Sequence, residues 1–142
     1  MPEALVTGGA GFIGATLVRM LSGRGYEVRV YDDLSTGTRE HLDDLGIELV
    51  EGDVRDLDRL TNASRGADTV FHLAAGAGVV DSIENPLGNF DVNARGTLVA
   101  RANAVAPVIA GDEIAAGPAQ HRDAHAAGGF HDVFAKAVGV GK

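Results

Sequence analysis

Over about residues 1–100, short apolar runs alternate with longer stretches whose apolar side chains recur at helical spacing. The runs Glu3–Val6, Glu27–Tyr31, Ile47–Glu51 and Thr69–Leu73 predict four strands, each short and rich in residues that favour a pleated surface. Phe12-Ile13, Leu17-Val18 and Leu21 share one helical face and predict a helix over about 12–23, closed by Arg24-Gly25. A short helix is expected from Thr38 to Leu45, ended by Gly46. Asp56 is a good N-cap for a helix running through Ser64 and ending near Gly66. A glycine-rich loop at 75–78 and a break at Pro86 follow strand four, and a helix is expected from Leu87 to about Val105. Helices alternating with largely apolar strands predict an α/β chain. Its parallel sheet is covered on both faces and its crossovers are right-handed.

The turn between strand one and the first helix reads TGGAGFIG at 7–14. A turn of this kind aims backbone N–H groups and a helix N-terminus at a phosphate. Gly8 lets the chain leave the strand tightly, Gly11 lets the backbone approach a pyrophosphate, and Gly14 lets the helix lie close to the sheet. The spacing is Gly-x-x-Gly-x-x-Gly rather than the commoner Gly-x-Gly-x-x-Gly, and an ordinary strand-to-helix turn is the bland alternative. Strand two supplies the second half of the pattern by ending in Asp32-Asp33. A carboxylate there, roughly 20 residues past the glycines, can accept hydrogen bonds from both hydroxyls of an adenosine ribose and would repel a 2′-phosphate. Together the two features point to NAD rather than NADP. Either Asp32 or Asp33 can fill the role. The implied architecture is a Rossmann-like doubly wound parallel sheet.

Composition narrows the partners. The chain has 142 residues, a formal net charge of −8 and a pI near 4.9. That charge disfavours nucleic acid and anionic membrane, which both require a basic surface. A phosphate ligand stays open, because backbone dipoles can bind it. There is no cysteine, so disulfide and thiol chemistry are excluded. No positive leader with an apolar core opens the chain and the apolar runs are short, so a cytoplasmic protein is expected.

Further landmarks fall in order after the glycine turn: DDLSTG at 32–37, GDVRD at 52–56, FHLAA at 71–75, then Val79, Ser82, Pro86 and NARGT at 93–97. With them the chain resembles the extended short-chain dehydrogenase/reductase family. The resemblance is to its NAD-dependent nucleotide-sugar epimerases and dehydratases, of the UDP-glucose 4-epimerase type, and covers residues 1–100. It implies that Gly8, Gly11, Phe12, Ile13 and Gly14 surround the NAD pyrophosphate. It implies that Asp32 holds the adenosine ribose, with Asp33, Leu34, Ser35, Thr36 and Gly37 lining that side. Asp53 and Val54 would flank the adenine, and Leu73, Ala74 and Ala75 would pass close to the nicotinamide-side ribose. Asn93 matches a helix asparagine that supports the site through backbone contact. A nucleotide sugar is the implied substrate.

Other residues have plainer readings. Asp53 can also cap a turn. His72 lies in an apolar strand and is read as a satisfied core histidine rather than a catalyst. Carboxylates at 51, 53, 56 and 58 read as a solvated helix start. His121, Asp123, His125 and His131 lack the pattern of a metal site, and no metal is expected.

The resemblance also implies a catalytic Tyr-x-x-x-Lys pair, in which the lysine lowers the tyrosine pKa so that the phenolate takes a substrate proton. The only tyrosines are Tyr26 and Tyr31, and neither is followed at that spacing by lysine; the only lysines are Lys136 and Lys142. No catalytic residue is therefore assigned. Residues 1–102 are expected to form the NAD-binding domain. Residues 103–142, rich in Ala, Gly and His, are expected to form an irregular tail with at most a scrap of strand at Val108-Ile109. The expectation is a sheet truncated after about four strands, from a truncated or frameshifted gene of this family. Such a sheet predicts weak NAD affinity, low stability, and homo-oligomer formation or association through an exposed edge.

Overall fold

The computed structural model describes residues 1–103 and 108–110. Five parallel strands form one sheet in the order β3-β2-β1-β4-β5. They are β1 (Glu3–Thr7), β2 (Glu27–Asp32), β3 (Glu48–Glu51), β4 (Thr69–His72) and β5 (Val108–Ala110). The helices are α1 (Phe12–Ser22), α2 (Leu57–Ser64), α3 (Val79–Glu84), α4 (Pro86–Phe90) and α5 (Gly96–Asn103). Strand order reverses between β1 and β4, the place where doubly wound sheets open a crevice at their carboxyl ends.

Strand residues feed two apolar clusters by simple alternation. Ala4, Val6, Val28, Val30 and Phe71 join Val18 and Leu21 of α1 in one cluster. Leu5, Tyr31 and Val70 join Leu60 and Ala63 of α2, with Ala100 of α5, in the other. Both faces of the central strands are thus buried, which explains runs too apolar for a half-exposed sheet.

The expected opening beside strand four is filled. Val70, Phe71 and His72 pair with Val108, Ile109 and Ala110, so the scrap at 108–109 is a three-residue strand inside the stretch expected to be irregular. Four strands of four to six residues and this short fifth one make up the described sheet. The rest of the expected tail, with its histidines and both lysines, lies outside the described residues. At the other edge, Glu48 of β3 pairs with Arg29 and Glu51 with Arg39. Charged edge residues discourage addition of another strand.

Two helices differ from expectation. The helix expected over 38–45 is two 3-10 turns, Arg39–His41 and Asp43–Leu45, because Thr38 N–H and His41 Nδ1 both engage the Ala10 carbonyl and pull the segment onto the glycine turn. The single helix expected from Leu87 begins instead at Pro86, capped by Asn85, and passes through a π-turn at Asp91–Arg95 before α5. Asp56 does cap α2, accepting from Arg59 N–H at 3.1 Å. Asp56→Ala should cost about 1 kcal/mol, read as a lower urea midpoint at unchanged slope.

Candidate functional site

The glycine turn lies where β1 delivers the chain to α1. Gly8 has a left-handed backbone (φ +69°), and a Cβ there would sit 2.7 Å from Ala74 N. A Cβ on Gly14 would sit 2.1 Å from the Gly8 carbonyl oxygen. The turn is therefore closed against β4's following loop on one side and against α1 on the other. Gly11 is the N-cap of α1, has no side chain to cap with, and no acidic residue stands in the first turn. The positive end of the helix is thus left to whatever binds outside it. Phe12 and Ile13 are exposed at this rim.

Asp32 is buried and bridges strand two to the glycine turn. Its Oδ2 accepts from Ala10 N–H at 2.9 Å, and its Oδ1 accepts from Leu34 N–H at 2.9 Å. Asp33 is exposed, and its carboxylate closes a local turn by accepting from the Ser35 N–H and hydroxyl at 2.9 and 2.6 Å. Of the two acids that end strand two, Asp32 is the one facing the turn. Leu34 is held left-handed (φ +58°) while packing against the α1-side cluster. Ser35 and Thr36 are exposed, and Gly37 packs against Ala10, where a Cβ would meet the Ala10 carbonyl carbon at 2.7 Å.

Val54 is buried in the α2-side cluster beneath Asp53. Asp53 is not open-ended: its carboxylate accepts from Arg55 N–H at 2.8 Å and from the Arg55 guanidinium. Arg55 also reaches Asp91 at 3.2 Å, tying this turn to the π-turn. The hydrogen bond from Arg55 holds the Asp53 carboxyl below the usual carboxylate range, against partial burial. Asp53 therefore binds a proton less readily folded than unfolded. Its contribution to stability is present above about pH 4 and is lost as pH falls below that. Because the pair is more than a third exposed, Arg55→Met should remove less than about 1 kcal/mol at pH 7. The variant should also flatten the acid limb of a stability-versus-pH curve.

Leu73 and Ala74 are half-buried and Ala75 is exposed, directly across from Gly8. His72 is buried with both ring nitrogens engaged: Nδ1 with Thr7 Oγ1 at 2.7 Å and Nε2 with Thr97 Oγ1 at 3.2 Å. Thr97 spends its only proton on the Asn93 carbonyl at 2.6 Å, so Nε2–H donates to Thr97 and Nδ1 accepts from Thr7. Thr7 Oγ1 in turn accepts from Ala74 N–H at 3.3 Å. His72 is a structural link, as its strand position implies. Asn93 Oδ1 accepts from Gly76 N–H at 2.7 Å. Sequence reasoning missed Arg55 and Asn89. The Asn89-x-x-x-Asn93 spacing was the available signal for the second, since residues four apart share a helix face.

A parallel sheet with a side-chain-free turn at its topological switch point, facing a buried acid at the tip of the next strand, defines a dinucleotide-binding α/β protein. The NAD dependent epimerase/dehydratase family model matches residues 4–105. The chain belongs to that family, and NAD is the cofactor that membership assigns. A putative UDP-glucose 4-epimerase of Methanocaldococcus jannaschii is 41% identical over 96 residues, 66% of this chain and 31% of that protein. A 3 beta-hydroxysteroid dehydrogenase/Delta 5-->4-isomerase of Mycobacterium tuberculosis is 41% identical over 101 residues, 67% of this chain and 26% of the relative. Among solved structures, the Thermus thermophilus UDP-glucose 4-epimerase in complex with NAD aligns with a TM-score of 0.64 at 43% identity. That alignment covers 69% of this chain and 32% of the Thermus one. The chain thus spans about a third or less of these relatives' length. Among the described residues, no helix is long and apolar enough to cross a membrane.

Proposed function

We propose that this chain supplies the cofactor-binding part of an NAD-dependent nucleotide-sugar epimerase or dehydratase, of the UDP-glucose 4-epimerase kind. The observation that carries the reading is the buried Asp32 carboxylate bonded to Ala10 N–H, which sets an acid at the mouth of the glycine turn. The fit to NAD is good on two counts. Space that any Cβ at Gly8 or Gly14 would fill is kept for close packing of the turn, and α1 begins uncapped. Gly8, Gly11, Phe12, Ile13 and Gly14 would hold the pyrophosphate. Asp32 would hold the adenosine ribose beside Asp33, Leu34, Ser35, Thr36 and Gly37. Asp53 and Val54 would flank the adenine. Leu73, Ala74 and Ala75, steadied by Asn93, would flank the nicotinamide-side ribose. When bound, NAD would take a hydride from a sugar carbon and return it.

A second reading, a non-catalytic NAD-binding module, is favoured by the tyrosines. Tyr31 is buried and donates its hydroxyl to the Asp53 carbonyl at 2.9 Å. Burial, then the nearby Asp56 charge, pushes its pKa up to about 12, so it stays protonated at neutral pH. Tyr26 has no lysine four residues on. Self-association is proposed at the side of the sheet where β5 is the last strand among the described residues, since charge guards β3. Calorimetric titration tests the common core of both readings. NAD should bind saturably and more weakly than about 1 μM, with NADP at least about tenfold weaker. Absence of saturable NAD binding, or equal NADP binding, would overturn both. Conversion of UDP-galactose by the NAD-loaded chain would overturn the second reading.

A further inference from the structure

We infer that Asn89, together with Asn93, clamps the backbone of Gly76 and so positions the loop after β4; the inference deepens the cofactor reading and rests on it. Gly76 N–H can only donate, so Asn93 must present Oδ1 to it, at 2.7 Å. That orientation turns Asn93 Nδ2 toward the Gly76 carbonyl at 3.2 Å and toward Asn89 Oδ1 at 3.0 Å. Asn89 must then present Nδ2 to the same Gly76 carbonyl, at 2.9 Å. Each amide fixes the other, and the ring of bonds closes on both backbone polar atoms of one residue. A Cβ on residue 76 would lie 3.0 Å from Asn89 Nδ2, tighter than ordinary contact, so the clamp would have to give by a few tenths of an ångström.

The π-turn at Asp91–Arg95 makes the alignment possible. In an α-helix, side chains at i, i+4 and i+8 drift by about 80°. A wider turn in the middle of the run reduces that drift, and such turns concentrate at working sites. Asn89, Asn93 and Thr97 accordingly all reach the end of β4 and its loop, the first two at Gly76 and the third at His72. The loop is pinned at a second point by Ala74 N–H on Thr7 Oγ1. Between the two pins lies Ala74-Ala75, the backbone facing Gly8. Asn89 is not among the residues proposed to flank the cofactor. It acts through Gly76, as a positioning residue for the nicotinamide side only.

Asn89→Leu and the isosteric Asn89→Asp, which both remove the Nδ2 donor, test this in the full chain. Amide exchange at Gly76, measured without nucleotide, should quicken about tenfold in both, since the clamp would open locally. The NAD dissociation constant should rise about fivefold, a loss on the scale of one hydrogen bond. That of AMP, which occupies the Asp32 side alone, should stay unchanged. Unchanged Gly76 exchange overturns the clamp. Equal weakening of NAD and AMP in Asn89→Asp overturns the positioning role, because general loss of fold would strike both ligands. A wild-type chain that binds neither nucleotide overturns the cofactor reading, and with it the role in binding, while the exchange data report separately on the clamp.

Discussion

Replacing Gly14 with alanine should both destabilise the fold and abolish nucleotide binding. The added Cβ would meet the Gly8 carbonyl oxygen at 2.1 Å and Gly9 Cα at 2.7 Å, far inside ordinary contact at 3.4 Å or more. Both obstacles are backbone, so no side chain can swing aside. Either α1 lifts from the sheet or the turn is pushed outward. Lifting α1 uncovers Val18 and Leu21, both fully buried in the α1-side cluster. Pushing the turn outward breaks Gly8 N–H to Tyr31 O, at 2.9 Å, and displaces the peptides proposed to meet the pyrophosphate. The expected loss is about 3 kcal/mol, at the upper end for overpacking a well-filled site. Chemical denaturation should show the fall, and NAD titration should show no saturable binding. Retention of wild-type stability would mean that α1 and the turn are less tightly apposed than described.

Asp32→Ala should produce the second large effect. It removes the acceptor for Ala10 N–H and for Leu34 N–H in a place that water does not reach freely. Orphaning buried donors costs about 1–3 kcal/mol each, and more where the lost acceptor was charged. A total near 3 kcal/mol is expected, with Leu34 released from its left-handed conformation. NAD affinity should fall at least about a hundredfold, as two charge-assisted bonds to the ribose are lost along with the loop that frames them. Asp32→Asn separates the two contributions. Its amide still offers one acceptor oxygen, so stability should fall by about half as much, and discrimination against NADP should weaken because the repelling charge is gone. Fluorescence-monitored unfolding and parallel NAD and NADP titrations read both.

Much of this architecture was legible before any coordinates, and particular residues show why. Strand limits fall within a residue of expectation because β1, β2 and β4 are buried on both faces and their apolar runs end where the sheet ends. Asp56 was legible because capping is local chemistry. The resemblance named Asp32 rather than Asp33 for the ribose, and strand alternation contains the same choice. Val28 and Val30 face α1, so position 32 faces the turn that leads into α1 and position 33 does not. The helix over 38–45 was misread because its fate depends on the Ala10 carbonyl, a partner about thirty residues away. The break between α3 and α4 was legible from Pro86, but the π-turn was not, since it answers to Gly76, His72 and Arg55 from other elements. Local signals found the elements that local chemistry fixes, and missed those that bend to meet a distant backbone.

The division of the interior by a single layer of strands has an energetic corollary. Val6 and Phe71 stand side by side in register on the α1 face, while Val70, next to Phe71 in the chain, points to the opposite half. Double-mutant cycles should therefore ignore sequence adjacency. Truncating Val6 and Phe71 together should deviate from additivity, as neighbours in one cavity do, whereas truncating Val70 and Phe71 should come close to a plain sum. The sheet acts as a partition through which volume changes are poorly transmitted, so each half can tolerate or suffer substitution largely on its own account.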